Sequence, residues 1–108
     1  MYEIEYSQQT KEDIDNLAYW ISEEKGMPKT AMKYVDDLLA TIKEIAKRPT
    51  SCPFERNTSV VLLFGMNVRR INFKKYAILY TIIENEKTVY IYRIIAQSMV
   101  SRLNLGEL

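Results

Sequence analysis

The sequence predicts an α+β protein with the element order β-α-α-β-β-β: an N-terminal strand, an antiparallel helical hairpin and a three-stranded antiparallel meander. Three observations carry this reading. The opening residues alternate apolar and charged side chains, residues 14–46 repeat apolar side chains at helical spacing, and runs of β-formers follow Gly65. With 108 residues, one domain over 1–108 is expected, and an apolar fraction of 47% suffices for a core without disulfides or structural metal.

Residues 2–6 place Tyr2, Ile4 and Tyr6 on one strand face and Glu3 and Glu5 on the other. Ser7 is a plausible helix N-cap, and Thr10 to Asp13 offers a second, capping-box-like start. Ile14, Leu17, Ala18 and Ile21 then fall on one helical face, bordered by Trp20. Gly26 is placed to end this helix and Pro28 to open the next. The second helix carries Ala31, Tyr34, Val35, Leu38, Leu39, Ile42, Ile45 and Ala46 at helical spacing and stops before Pro49.

Residues 49–58 are turn-rich, and Val60–Phe64 is open between a strand and a buried helical turn. Strands are predicted over Met66–Phe73, over Tyr76–Ile83 as the central strand, and over Thr88–Ile95 beyond a polar loop. Met99, Val100, Leu103 and Leu105 fit either a short C-terminal helix or an extended arm.

The formal net charge is +1, unevenly spread. Residues 1–47 hold six Lys/Arg against ten Asp/Glu, and residues 48–108 hold nine against four, so an acidic hairpin is expected on a basic sheet. Cys52 is the single cysteine, which excludes an internal disulfide and fits a reducing compartment. The N-terminus lacks a basic region followed by an apolar run, and no apolar stretch approaches the roughly 20 residues that span a bilayer. A cytoplasmic protein with no membrane association, cofactor or metal is expected.

The order of these elements resembles the RelE/ParE superfamily, the toxins of type II toxin–antitoxin systems, over nearly the whole chain. Asp15–Ile21 in the first helix, Ile45–Pro49 at the end of the second, and above all Val68–Ile82 followed by Val89–Ile95 carry the likeness. The last two match the family's arginine-bearing strand, tight turn, Tyr-x-x-x-Tyr strand and closing strand with an arginine. The spacing from Arg69 to Tyr80 fits the ParE-like, plasmid-stabilisation branch better than the RelE branch.

The resemblance implies either cleavage of messenger RNA on the ribosome or poisoning of DNA gyrase. It also implies a cognate antitoxin, an acidic segment wrapped across the toxin, for which the basic half is complementary. Cleavage by 2′-hydroxyl attack needs a base, an acid and cations for the charged phosphorane. Arg69, Arg70, Lys74, Tyr80 and Arg93 are the candidates for such a site, with Lys75, Tyr76, Tyr90 and Tyr92 as further cations or stacking groups. Against it, the chain has no histidine, Ala77 stands where RelE-type chains place an arginine, and Ala96–Ser101 replaces their His/Arg/Tyr-rich ending.

A protein-binding role needs apolar anchors and a charged rim instead, for which Arg69, Arg70, Lys74, Lys75, Arg93, Met99, Arg102 and Leu103 are the candidates, with Val100, Leu105 and Leu108 as further anchors. Arg69 and Arg70 must point to opposite faces of a regular strand. Arg93 follows Val89 and Ile91 at period two and is expected to reach a carboxylate such as Glu3 or Glu5. Three functions follow: a ParE-like toxin acting on gyrase or another protein, a histidine-free ribosome-dependent endoribonuclease, or a non-toxic binding module of the same fold.

Overall fold

The structure, a computed structural model, describes residues 1–103; Leu105 and Leu108 lie outside them. Strand β1 (Glu3–Tyr6) leads into helix α1 (Gln8–Tyr19), and α2 (Pro28–Lys47) completes the hairpin. A short helix α3 (Thr58–Phe64) precedes β2 (Arg69–Phe73), β3 (Tyr76–Ile83) and β4 (Thr88–Ala96). The four strands form one sheet in the order β1-β4-β3-β2, with β1 parallel to β4 and the other pairs antiparallel.

The apolar run of β3 is explained by burial on both faces. Ile78 and Tyr80 join Val89, Ile91 and Ile94 under the hairpin, meeting Leu17, Leu38 and Ile42. Ala77 and Leu79 point the other way and pack with Val60, Val68, Ile95 and Val100. Each fully buried aliphatic side chain here contributes about 1.5–3 kcal/mol relative to exposure. Tyr2, Ile4 and Tyr6 pack against the hairpin-side core, as the period-two pattern requires, while Glu3 and Glu5 are exposed.

Local chemistry sets the helix ends. The Ser7 hydroxyl accepts from the Thr10 amide, so Ser7 is the N-cap of α1, and Thr10 is buried within the first turn rather than capping a later start. Gly26 at φ +64° turns the chain, and Pro28 opens α2. Val60–Phe64 is helical because Asn57 caps the Ser59 amide and Gly65, at φ +94°, ends the helix. Met66 and Asn67 are then spent in a turn, so the predicted strand Met66–Phe73 shortens to Arg69–Phe73. Beyond β4 the chain forms a 3-10 helix over Gln97–Arg102 that buries Val100.

β1 ends opposite Ile91, leaving the rest of that β4 edge without a strand partner. Helix α1 closes it with side chains. The Thr10 hydroxyl donates to the Ile91 carbonyl at 3.0 Å, and the Ser7 hydroxyl donates to the Tyr92 carbonyl at 2.9 Å. Asp13 accepts from the Ile94 amide at 2.9 Å and from the Arg93 guanidinium at 2.8 and 3.0 Å. The partner of Arg93 is therefore Asp13, correcting the expectation of Glu3 or Glu5. Those glutamates lie on the solvent face of a strand that stops short of Arg93, and a register irregularity near Leu79/Tyr80 shifts the phase of β4 there.

Asp13→Ala should cost about 2–4 kcal/mol, because it strands a backbone amide and a half-buried guanidinium together. Urea denaturation should show Asp13→Asn recovering part of that loss, since Asn keeps an acceptor; equal stability of all three proteins would refute the role of this carboxylate. Lys87 is left-handed at φ 50°, ψ 47°, and its ammonium makes an exposed 3.9 Å ion pair with Glu84 and lies 5.5 Å from the Tyr2 ring centroid. Lys87→Gly should raise stability by about 0.5–1 kcal/mol, seen as a higher urea midpoint at unchanged slope.

Candidate partner-binding groove

One groove runs between α1, the start of α2, the β2–β3 turn and the C-terminal 3-10 helix. It consists of two adjoining pockets, of about 620 and 720 Å³, which share Leu17, Trp20, Tyr76 and Ala96. Helix α1 widens at its end into a π-turn over Trp20–Glu24, with the Lys25 amide bonded to the Trp20 carbonyl. The turn buries Ile21 and leaves Trp20 half exposed at the junction of the two pockets.

The first pocket has an aromatic floor under a cationic rim. Tyr34 meets Phe73 and Tyr76 edge-on at 5.3 and 6.2 Å. The Lys74 ammonium lies 4.6 Å from the Tyr34 ring and the Lys25 ammonium 4.9 Å from the Trp20 ring. Lys74 adopts φ 54° in the two-residue turn. Gln97 clamps that turn: its side-chain amide donates to the Lys74 carbonyl and its backbone amide to the Lys75 carbonyl. The second pocket carries Asp13, Arg93, Met99, Arg102 and Leu103. Met99 is 47% exposed, enough to present an apolar anchor.

The structure thus gathers six of the predicted partner-binding residues, Lys74, Lys75, Arg93, Met99, Arg102 and Leu103, along one groove. Arg69 and Arg70 do not line it. They point to opposite faces, as strand geometry demands: Arg69 is registered against Tyr80 on the hairpin side and Arg70 against Leu79 on the other. Arg69 donates to the carbonyls of Thr50 and Cys52 at 3.3 and 2.6 Å, and Arg70 pairs with Glu55 at 2.9 Å. Sequence reasoning missed Trp20, Tyr34 and Lys25 as groove residues. Trp20 alone carried a signal, as an aromatic at the border of the apolar helix face.

The candidates for RNA cleavage are dispersed in the same way. Tyr80 is completely buried, and its hydroxyl donates to the Pro49 carbonyl at 2.7 Å, so it has no path to a substrate. Burial pushes the Tyr80 hydroxyl far above the ordinary tyrosine range, and burial likewise raises Tyr76 and Tyr34. These phenols stay protonated at neutral pH and offer no base. Tyr90 and Tyr92 pack edge-on to each other, and Tyr92 stacks on Phe64 at 4.8 Å. Among the described residues no cluster of three His, Cys, Asp or Glu side chains is placed to hold a metal ion, and no helix is long and apolar enough to cross a membrane.

Burial disfavours the Glu55 carboxylate, but the hydrogen bond from Arg70 and the amides of Asn57 and Arg56 outweigh it and hold its pKa below the ordinary value of 4.5. A depressed carboxyl stabilises the fold above the unfolded value and loses that contribution as pH falls through the folded one. Thermal unfolding should therefore show wild type losing stability more steeply than Glu55→Gln as pH drops below 4.5. Parallel curves would show that the Glu55 pair contributes nothing.

The chain matches the family model described as ParE toxin of type II toxin-antitoxin system, parDE, over residues 4–101. A search of curated proteins finds no match. Among solved structures it resembles the chromosomal ParDE TA system from P. aeruginosa, with a TM-score of 0.67 at 17% identity over 89% of this chain and 96% of that one. It is also similar to the toxin-antitoxin complex RelBE2 from Mycobacterium tuberculosis, with a TM-score of 0.58 at 16% identity over 90% and 92%. The intact E. coli RelBE toxin-antitoxin complex gives 0.53 at 15% identity over 89% and 96%. At these identities the structural likeness establishes a shared fold, whereas the family match spans nearly the whole sequence. The chain belongs to the ParE toxin family of type II toxin–antitoxin systems.

Proposed function

We propose that this chain is a single-domain cytoplasmic toxin, held inactive by a cognate acidic antitoxin seated in the groove, that arrests growth by binding DNA gyrase. The observation that carries this reading is the groove itself, an apolar and aromatic floor edged by Lys25, Lys74, Lys75 and Arg102. An amphipathic acidic segment would set apolar side chains on Trp20, Tyr76 and Met99 and its carboxylates against that rim. The solved structures of similar fold are described as toxin–antitoxin systems or complexes, which supports such a partner.

Binding is favoured over RNA cleavage because the required groups do not converge. Tyr80 is buried, Arg69, Arg70 and Arg93 are each engaged at separate places, and no histidine is present to act as base. A protein target needs none of that chemistry.

Expressed alone, the gene should stop growth, induce the DNA-damage response and leave transcripts intact, and co-expression of a small acidic protein from the neighbouring gene should restore growth. Purified toxin should inhibit gyrase supercoiling of a plasmid. Rapid codon-biased transcript cleavage with unimpaired gyrase would replace this reading with the nuclease one, and normal growth would remove the toxin reading. Lys75→Glu with Arg102→Glu should weaken antitoxin binding by about tenfold or more, each tenfold being about 1.4 kcal/mol.

A further inference from the structure

A second cationic surface lies away from the groove, where the turn after α2 meets the outer edge of β2. Phe54 bridges to Arg69 as a short strand contact, and its ring carries the Arg69 guanidinium at 4.0 Å and that of Arg56 at 5.0 Å from its centroid. Arg69 is fixed further by the carbonyls of Thr50 and Cys52, and Arg56 by the Met66 carbonyl at 3.3 Å. Arg48 opens the same turn and is exposed, with the Ser51 hydroxyl bonded to its carbonyl. Among the described residues Arg48, Arg56 and Arg69 form no ion pair, and the two nearest carboxylates in sequence, Glu44 and Glu55, are taken by Lys47 and Arg70. The negative end of the α2 dipole explains a cation at Arg48, but it explains neither Arg56 nor Arg69.

We propose that this edge is a docking surface for the phosphate backbone of duplex DNA. The guanidiniums of Arg56 and Arg69 form no ion pair among the described residues and are positioned by backbone carbonyls and the Phe54 ring. Little of their side-chain entropy is therefore lost on meeting phosphates, and the exposed Arg48 adds a third cation beside them. The arrangement suits a duplex rather than a single strand. Single-strand sites offer free aromatic faces to bases, and Phe54 is instead occupied by two guanidiniums. Such contacts position a protein on DNA without reading sequence. The inference does not depend on the gyrase reading, and a toxin acting on an enzyme that itself holds DNA would gain a second point of attachment.

The test is fluorescence anisotropy of the purified full chain with a labelled random-sequence duplex across a salt series. Each phosphate neutralised contributes about 0.9 to the slope of log affinity against log salt. Arg48→Ala with Arg56→Ala should therefore lower the magnitude of that slope by about 2, with an unchanged melting temperature confirming the fold. Lys11→Ala with Lys29→Ala, which removes the same charge from exposed helix positions, should leave the slope unchanged. The proposal is overturned if the duplex does not bind, if both double variants lower the slope equally, or if a single-stranded oligonucleotide binds better than the duplex.

Discussion

The carboxylate of Asp13 is the point on which the architecture turns. A four-residue β1 cannot cover a nine-residue β4, and an uncovered stretch of β4 would leave amides and carbonyls facing a helix instead of a strand. Ser7, Thr10 and Asp13 lie three residues apart, one helical face, and supply in side chains the bonds that a longer strand would have made. Asp13 also draws Arg93 onto the same oxygens, which fixes the height and rotation of α1 over the end of β4. Because Leu17 and Trp20 continue that helix face, the wall of the groove is set by the same bonds.

Much of this was legible in the sequence because local chemistry and tertiary packing agree. Tyr76–Ile83 is apolar without alternation because layers cover both its faces, and the helix punctuation at Ser7, Gly26 and Pro28 acts as its residue types predict. Two features were not legible. Val60–Phe64 has a strand-like composition, and its helical form depends on the Asn57 cap and the burial of Val60 against β3, which no periodicity over five residues can reveal. Arg93 lies 80 residues from Asp13, and the shift in strand register that accompanies the pair has no signature in period-two spacing.

The candidate site was half legible for the same reason. Residues adjacent in sequence to the β2–β3 turn and to the end of β4 converge because antiparallel pairing brings Tyr76 opposite Ala96. The arginines of β2 looked equivalent to those of the turn by composition, yet they sit toward the opposite end of the strand and are engaged by the loop over residues 50–55. Charge counting located a basic half; only the register distributes it between a groove with aromatic walls and an edge held by carbonyls. The absence of histidine then acquires meaning, since neither surface carries an imidazole, the side chain whose ordinary range lies nearest neutrality.

The parallel pairing of β1 with β4 joins residues 3–6 to residues 88–91, nearly the whole length of the chain. Contacts of such high sequence separation form late, after shorter loops have closed. During synthesis the first strand and α1 emerge long before their partner strand exists, and a groove walled by Leu17 and Trp20 on one side and Ala96 and Met99 on the other has no counterpart in a nascent fragment. The two walls of the groove therefore meet only once β4 and the turn beyond it have been synthesised.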